Sequence, residues 1–316
     1  MDKKNTSSQS VIYLIGFQFP HVITFLVFFL FLLSYCVTIC GNLLIITMVF
    51  YSKSLHSPMY FFLSQLAVAD ILLVTDILPN TLDAILEESI TVISVSSCIT
   101  QFYFFAIAET SECLLLTVMS YDRYLAICKP LHYPMLMSHK FCWITIITTW
   151  ILTCLAVLSY TLPISRFDFC GPNIMDNFFC DLDPILELSC SDTTIVQIER
   201  TICATLFAVI PFFLIIVSYV YIIITIFQIP SITGRKKVFS TCSAHLIVVS
   251  MFYGTLVSVY LVPRGKQLWN ITKFLSLLYT VLTPMLNPII YSLRNADLKQ
   301  VIKKVVPNVF IIKISK

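Results

Sequence analysis

The feature that most limits what this chain can become is a set of seven apolar runs, near 22–50, 58–80, 98–124, 141–163, 196–228, 238–262 and 270–292. Each is long enough to cross about 30 Å of hydrocarbon as a helix. A backbone in lipid must pair its own N–H and C=O groups, and these runs are too long for strands and do not alternate, so each is read as a helix. Composition agrees: 58% of residues are hydrophobic and 12% charged, where a soluble domain carries about 25% charged residues. Little of the 316-residue chain is left over for a separate soluble domain. The sequence predicts an all-α membrane protein with one domain over 1–316. It comprises an N-terminal segment at 1–21, a seven-transmembrane helix bundle at 22–292 and a tail at 293–316.

Orientation is read from lysine and arginine, which favour the cytoplasmic side. With the N-terminus outside, the cytoplasmic segments hold Lys53, Arg123, Lys129, Lys140, Arg235, Lys236, Lys237, Arg294, Lys299, Lys303, Lys304, Lys313 and Lys316, against only Asp122 and Asp297. An odd number of spans then leaves the C-terminus inside, as expected for a multi-pass plasma-membrane protein. No small-residue cleavage site follows a short apolar segment, so the first span is expected to serve as its own insertion signal. Asn5 opens the sequon Asn-Thr-Ser, a glycosylation acceptor if the N-terminus is outside. After the last span, Leu293, Leu298, Val301, Ile302 and Val305 fall near helical spacing with Lys299, Lys303 and Lys304 on the other face. That pattern predicts a short amphipathic helix lying on membrane lipid.

Of the twelve cysteines, Cys36, Cys40, Cys113, Cys128, Cys142, Cys154, Cys203 and Cys242 lie in or beside spans and read as small apolar fillers. Cys98, Cys170, Cys180 and Cys190 face the outer compartment, where disulfides form, and three pairings are open to them. Their spacing does not match a zinc site, and no metal is expected there. Acids inside a span are costly and usually functional. Asp70 is one; Glu109 and Glu112 stand one helical turn apart in the third span. Glu112 precedes Asp122 by about 15 Å of helix, which can bring it level with Asp70. Two such carboxylates repel unless one is protonated or a cation lies between them. The expectation is therefore a sodium or proton site at Asp70 and Glu112, against the plainer reading that each finds a hydroxyl such as Ser64, Thr110 or Ser111.

At the inner end of the third span the sequence reads "MSYDRYLAICKPLHY" (Met119–Tyr133). Asp122 and Arg123 are either an interfacial anchor, with the arginine snorkelling between Tyr121 and Tyr124, or a latch. A latch of this kind is strong in a dry cleft and weak once water or a partner enters. Neighbours on a helix do not face each other squarely.

The order and spacing of several blocks carry a resemblance. They are Gly41–Asn42, "LHSPMYFFLSQLAVAD" (Leu55–Asp70), "MSYDRYLAICKPLHYP" (Met119–Pro134), Ser218–Tyr219, "KVFSTCSAHL" (Lys237–Leu246), "FYGT" (Phe252–Thr255) and "PMLNPIIYSLRN" (Pro284–Asn295). The chain resembles the rhodopsin-like G-protein-coupled receptors and, within them, closely resembles vertebrate olfactory receptors. It departs at Ser120, Val238 and Ala244, where the family commonly has alanine, alanine and serine; none of these is a charged switch residue.

The resemblance implies the pairs Cys98–Cys180 and Cys170–Cys190. It implies a latch at Asp122–Arg123, beside Tyr124, that opens when the sixth helix swings outward and frees Arg123 to meet Tyr219 and a G protein. Lys237 joins that basic inner surface. Asn287, Pro288 and Tyr291 form the polar kink of the seventh helix. The implied ligand is a small volatile odorant of low polarity. By position it is expected among Phe104, Phe105, Ala108, Glu109, Cys203, Phe207, Tyr253, Leu256, Val257, Tyr260 and Thr280, with Tyr253 as an aromatic pivot. Glu109 could favour an amine. The implied partner is a heterotrimeric G protein of the stimulatory olfactory type, raising cyclic AMP, in the cilia of olfactory sensory neurons. A receptor for a non-odorant ligand, or a transporter or channel, is the rival class. No cofactor beyond the sodium or proton is expected, and no nucleic acid. An enzyme is not expected, because the sequence holds no nucleophile with a paired base, no metal spacing and no phosphate loop.

Overall fold

The computed structural model describes residues 10–87, 90–170, 172–261, 269–295 and 298–302, with the side chains of Lys237, Thr241, Tyr260, Leu261, Trp269 and Asn270 outside that description. Seven helices are long and apolar enough to cross a membrane. They are counted here from first to seventh. The first four are His21–Tyr51, Pro58–Leu86, Val95–Cys128 and His139–Ile164. The fifth is Thr194–Gln228 and the sixth Ile232–Leu261. The seventh runs through Trp269–Leu277, Leu278–Leu282 and Thr283–Arg294. The first, preceded by Pro20, has no side-chain cap, but the third and fourth start on serines. Ser94 accepts from the Ser97 N–H at 3.1 Å and Ser138 from the Phe141 N–H at 3.3 Å, each satisfying a donor that has no partner in the first turn.

Two helix ends differ from the hydropathy boundaries. The second runs on to Leu86 and carries Pro79 within it; the sixth begins at Ile232, ahead of the apolar run. A helix pairs its own backbone groups, so it need not stop where hydrocarbon stops. The fifth and seventh helices each contain a wide turn with π-type bonding, at Thr205–Val209 and Leu278–Leu282. Both have the same cause. Pro211 and Pro284 stand two residues past these turns. A proline donates no N–H and its ring crowds the carbonyl four residues back, here Phe207 and Thr280, inside each wide turn.

The second and third helices form the centre of the bundle, with Phe62, Leu66, Val74, Leu115, Leu116 and Met119 among their buried side chains. The first helix packs on the second and seventh. At that contact a Cβ on Gly41 would lie 2.9 Å from Cγ of Pro288, so only glycine lets the first helix approach the seventh this closely.

One end of the bundle carries a small sheet that the span pattern did not anticipate. Its strands are Val11–Ile15 (β1), Ile90–Ser94 (β2) and Ile174–Met175 (β3). The order is β2-β1-β3, with β1 antiparallel to β2 and parallel to β3. Lys273 of the seventh helix is only 5% exposed. It donates to the carbonyls of Ile15 at 3.1 Å and Gly16 at 3.2 Å and pairs with Asp176. It therefore clamps β1 and the loop of β3 to the seventh helix. At the far end, residues 298–302 are helical and Leu298 is buried; the remainder of the expected amphipathic helix lies outside the described residues.

Gly41→Ala forces the first and seventh helices apart against a rigid pyrrolidine ring. The expected loss is about 1–3 kcal/mol, seen as a lowered melting temperature of the detergent-solubilised protein.

Candidate functional site

Disulfides join Cys98 to Cys180 and Cys170 to Cys190, and the other eight cysteines are free. The first bond ties the long loop to the head of the third helix. The Gln101 side chain reinforces it: its Oε1 accepts from the Cys180 N–H at 2.9 Å while its Nε2 donates to the Asp76 carbonyl at 2.9 Å. The loop residues after Cys180 are thereby held over the bundle.

Beneath them a cavity of ≈ 650 Å³ opens among the third, fourth, fifth and sixth helices. Phe105, Glu109, Cys203, Phe207, Tyr253, Leu256 and Val257 meet there. Tyr253 is buried and packs against Phe212, ring centroids 4.8 Å apart. Phe104 lines neither cavity and is 41% exposed, because one helical step of about 100° carries it off the face that Phe105 presents. Ala108 is sealed in the packing of the third helix, and buried Thr280 donates to the Ser276 carbonyl at 2.8 Å; neither lines the cavity. The side chain of Tyr260 lies outside the described residues.

The wall also includes Phe102, Thr110, Cys113, Tyr160, Asp181 and Arg200, which the sequence reading missed. The loop members could have been inferred from Cys180, since a bridge to Cys98 must bring Asp181 to the head of the third helix. A second cavity of ≈ 380 Å³ lies toward the sheet. It shares Phe105, Glu109, Asp181, Arg200 and Leu256 with the first and adds Asp176, Asp183, Glu187 and Lys273. Arg200 pairs with Asp183 at 2.7 Å. The neck between the cavities is thus charged, while the larger chamber is mainly aromatic and aliphatic.

Midway along the second and third helices, Asp70 and Glu112 are buried within hydrogen-bonding reach of each other. Asn287 donates its amide to both Asp70 oxygens, at 3.0 and 3.1 Å. Among the described residues, Glu112 Oε1 and Asn287 Oδ1 have no hydrogen-bond partner, and Tyr291 is buried with its hydroxyl likewise unpartnered. Pro288, inside the last stretch of the seventh helix, lies against Gly41.

Further along, Arg123 donates from Nε to Asp122 Oδ2 at 2.9 Å and from Nη2 to the same oxygen. Adjacent residues do therefore pair, by folding the guanidinium back onto a single carboxylate oxygen. The other oxygen accepts from the hydroxyl of Tyr133 at 2.8 Å. Burial and the charge of Asp122 hold that phenol above the usual tyrosine range, so it remains a donor. Tyr124 stacks on Tyr121 and meets the edge of Tyr221. Tyr219 meets not Arg123 but buried His245, oxygen to Nδ1 at 2.6 Å, and His245 Nε2 reaches the Leu116 carbonyl at 3.1 Å. A carbonyl can only accept, so Nε2 carries the proton and Nδ1 accepts from Tyr219. This links the third, fifth and sixth helices through His245. The side chain of Lys237, like Asn5, lies outside the described residues.

A seven-helix bundle with a ligand-sized chamber toward one end and a buried aspartate–arginine pair toward the other defines a rhodopsin-like receptor. The crystal structure of squid rhodopsin superposes with a TM-score of 0.72 at 16% identity, over 93% of this chain and 88% of that one, which establishes the fold. The profile of the olfactory receptor family matches residues 31–308. Human olfactory receptor 11L1 is 45% identical over 96% of this chain and 94% of its own length. Olfactory receptor 1M1 of Mus musculus is 43% identical over 97% of both. The chain belongs to the olfactory receptor family; it is a multi-pass membrane receptor and not an enzyme.

Replacing His245 with phenylalanine leaves the Tyr219 hydroxyl and the Leu116 carbonyl without their partner. The expected cost is about 1–3 kcal/mol, read as a fall in thermal stability that Tyr219→Phe in the same chain partly restores.

Proposed function

We propose that this receptor binds a small, volatile, mainly hydrophobic odorant in the ≈ 650 Å³ chamber and activates a heterotrimeric G protein of the stimulatory olfactory type, raising cyclic AMP. The observation that carries the proposal is the chamber itself. It is of ligand size, lined largely by Phe102, Phe105, Phe207, Phe212, Leu256 and Val257, and floored by Tyr253. Small-molecule sites between helices have this make-up, apolar with a few polar groups. The chamber and sheet face outside, the Asp122–Arg123 end faces the cytoplasm, and the basic segments there suit an acidic G-protein surface or anionic lipid. The setting is the ciliary plasma membrane of an olfactory neuron, with Asn5 as a glycosylated residue. The tail helix rests on lipid, with buried Leu298 as its anchor.

Signalling is a shift in population, for which the odorant must bind the active arrangement more tightly than the resting one. At rest Arg123 is engaged by Asp122, and Tyr219 by His245. Outward motion of the sixth helix removes His245 from Tyr219, which then meets Arg123 as the G protein enters. Between the two ends, Glu112 Oε1, Asn287 Oδ1 and Asp70 offer oxygen ligands suited to sodium. These residues would hold sodium there, and it would offset one of the two carboxylate charges; a proton shared between Asp70 and Glu112 would offset one likewise. Glu109 and Asp181 at the neck favour a second ligand class, protonated amines.

Cyclic AMP in cells expressing the receptor provides the test, with a panel of neutral alcohols, aldehydes and ketones set against amines. Phe105→Ala and Leu256→Ala are each expected to raise the half-maximal concentration about tenfold or more, while outward-facing Phe104→Ala leaves it nearly unchanged. Arg123→Ala is expected to abolish the response. A flat amine response removes the second class. If sodium occupies the centre, Asp70→Asn and Glu112→Gln each remove the dependence of potency on external sodium.

A further inference from the structure

The larger chamber has two boundaries of opposite chemistry. Toward the sheet it narrows to the charged neck of Glu109, Asp181 and Arg200, with Asp183 paired to the arginine. That end is covered by the three-stranded sheet, the disulfide-held loop and the Lys273 clamp. On the flank, its wall includes Val209 and Phe213 of the fifth helix and Val257 of the sixth. These are 47%, 59% and 44% exposed, although the same chamber reaches buried Tyr253 and Cys113. Side chains that line an internal chamber and are also half exposed on membrane-spanning helices mark an opening toward lipid. The wide turn Thr205–Val209 lies at this rim, so the irregularity set by Pro211 coincides with the gap.

We infer that ligands reach the chamber through the bilayer, by a lateral portal between the fifth and sixth helices rimmed by Val209, Phe213 and Val257. This rests on the chamber being the ligand site. The occupant is a small apolar molecule already dissolved in the hydrocarbon. Such a molecule is concentrated there relative to water, and it meets only apolar side chains at the rim. By the other route it must pass the half-buried charges of the neck, which lose hydration contacts as it goes by. The portal therefore selects for lipophilicity before the chamber selects for shape.

Cys203 lines the chamber, while Cys36 and Cys40 are exposed on the first helix and serve as lipid-facing references. Full-length receptor in cell membranes is treated with octyl methanethiosulfonate, which partitions into lipid, or with its trimethylammonioethyl analogue, which stays in water. Labelling of Cys203 relative to Cys36 and Cys40 is followed by peptide mass spectrometry. Val209→Trp and Val257→Trp, tested separately so that one folded variant suffices, are expected to slow octyl labelling of Cys203 about tenfold or more by crowding the rim. They leave labelling by the charged reagent unchanged. Lys273→Met, which loosens the opposite end, is expected to leave octyl labelling unchanged. The inference is overturned if octyl labelling is indifferent to both tryptophans, or if Lys273→Met accelerates it. Because the readout needs no odorant and no G protein, a receptor that signals to nothing on the panel still yields a decision about the portal.

Discussion

Hydrocarbon offers no hydrogen bond, so a polar group carried into this bundle is costly unless it pairs with another part of the chain. The pairings stitch the helices in a definite register. Asn42 joins the first helix to the seventh through the Pro284 carbonyl, and Asn287 joins the seventh to the second through Asp70. Trp150 reaches Gln65 across the second and fourth helices, and Ser111 meets Thr153 across the third and fourth. His245 ties the sixth to the third and, through Tyr219, to the fifth. Each bond is worth only about 0.5–1.5 kcal/mol. Their importance is in what they forbid: sliding one helix by a turn leaves several polar groups stranded in lipid together. Packing of leucines and phenylalanines would tolerate that slide far better.

The same constraint explains how one end can influence the other. Tyr253 forms the floor of the chamber and His245 lies two turns away on the same helix, about 12 Å along its axis. The sixth helix is thus a single rigid element in contact with both regions. Its bonds to its neighbours at the His245 end are few and directional, and the proposed signalling requires that breaking them leads to a second, discrete arrangement. Packed cores are bistable in this way, and that is what converts a small displacement at one end into a defined change at the other.

The architecture was legible because lipid imposes a long, uniform signal. Seven runs and their order emerge from hydropathy, and the motif blocks fix which helix is which. The errors have physical causes. Helix ends at Leu86 and Ile232 were misplaced because hydropathy reports where lipid ends, not where backbone pairing ends. The strands at Val11–Ile15 and Ile90–Ser94 are β-branched and short, and beside runs of twenty or more apolar residues they read as connectors. Of the positions expected at the ligand, Phe105 and Tyr253 line the chamber while Phe104, one helical step away, faces outward. Arg200, Asp181 and Tyr133 were missed because their roles depend on loops, whose placement follows from a disulfide and a short helical turn rather than from periodicity.

The smallness of the proposed ligand bounds how firmly the proposed resting state can be held. Moving a two-state equilibrium from one extreme to the other takes about 5.5 kcal/mol of differential binding. A volatile molecule of about ten non-hydrogen atoms gains at best about 1.5 kcal/mol per atom in total, and usually far less. Only part of that can differ between states. A deep ionic lock would therefore be beyond its reach. In the proposed resting state the guanidinium is folded back on the adjacent carboxylate, sharing one oxygen, with a tyrosine hydroxyl on the other. Tyr219 is restrained by a neutral imidazole rather than by a charge. A resting state held by such contacts lies within range of a ligand that has little more than its apolar surface to offer.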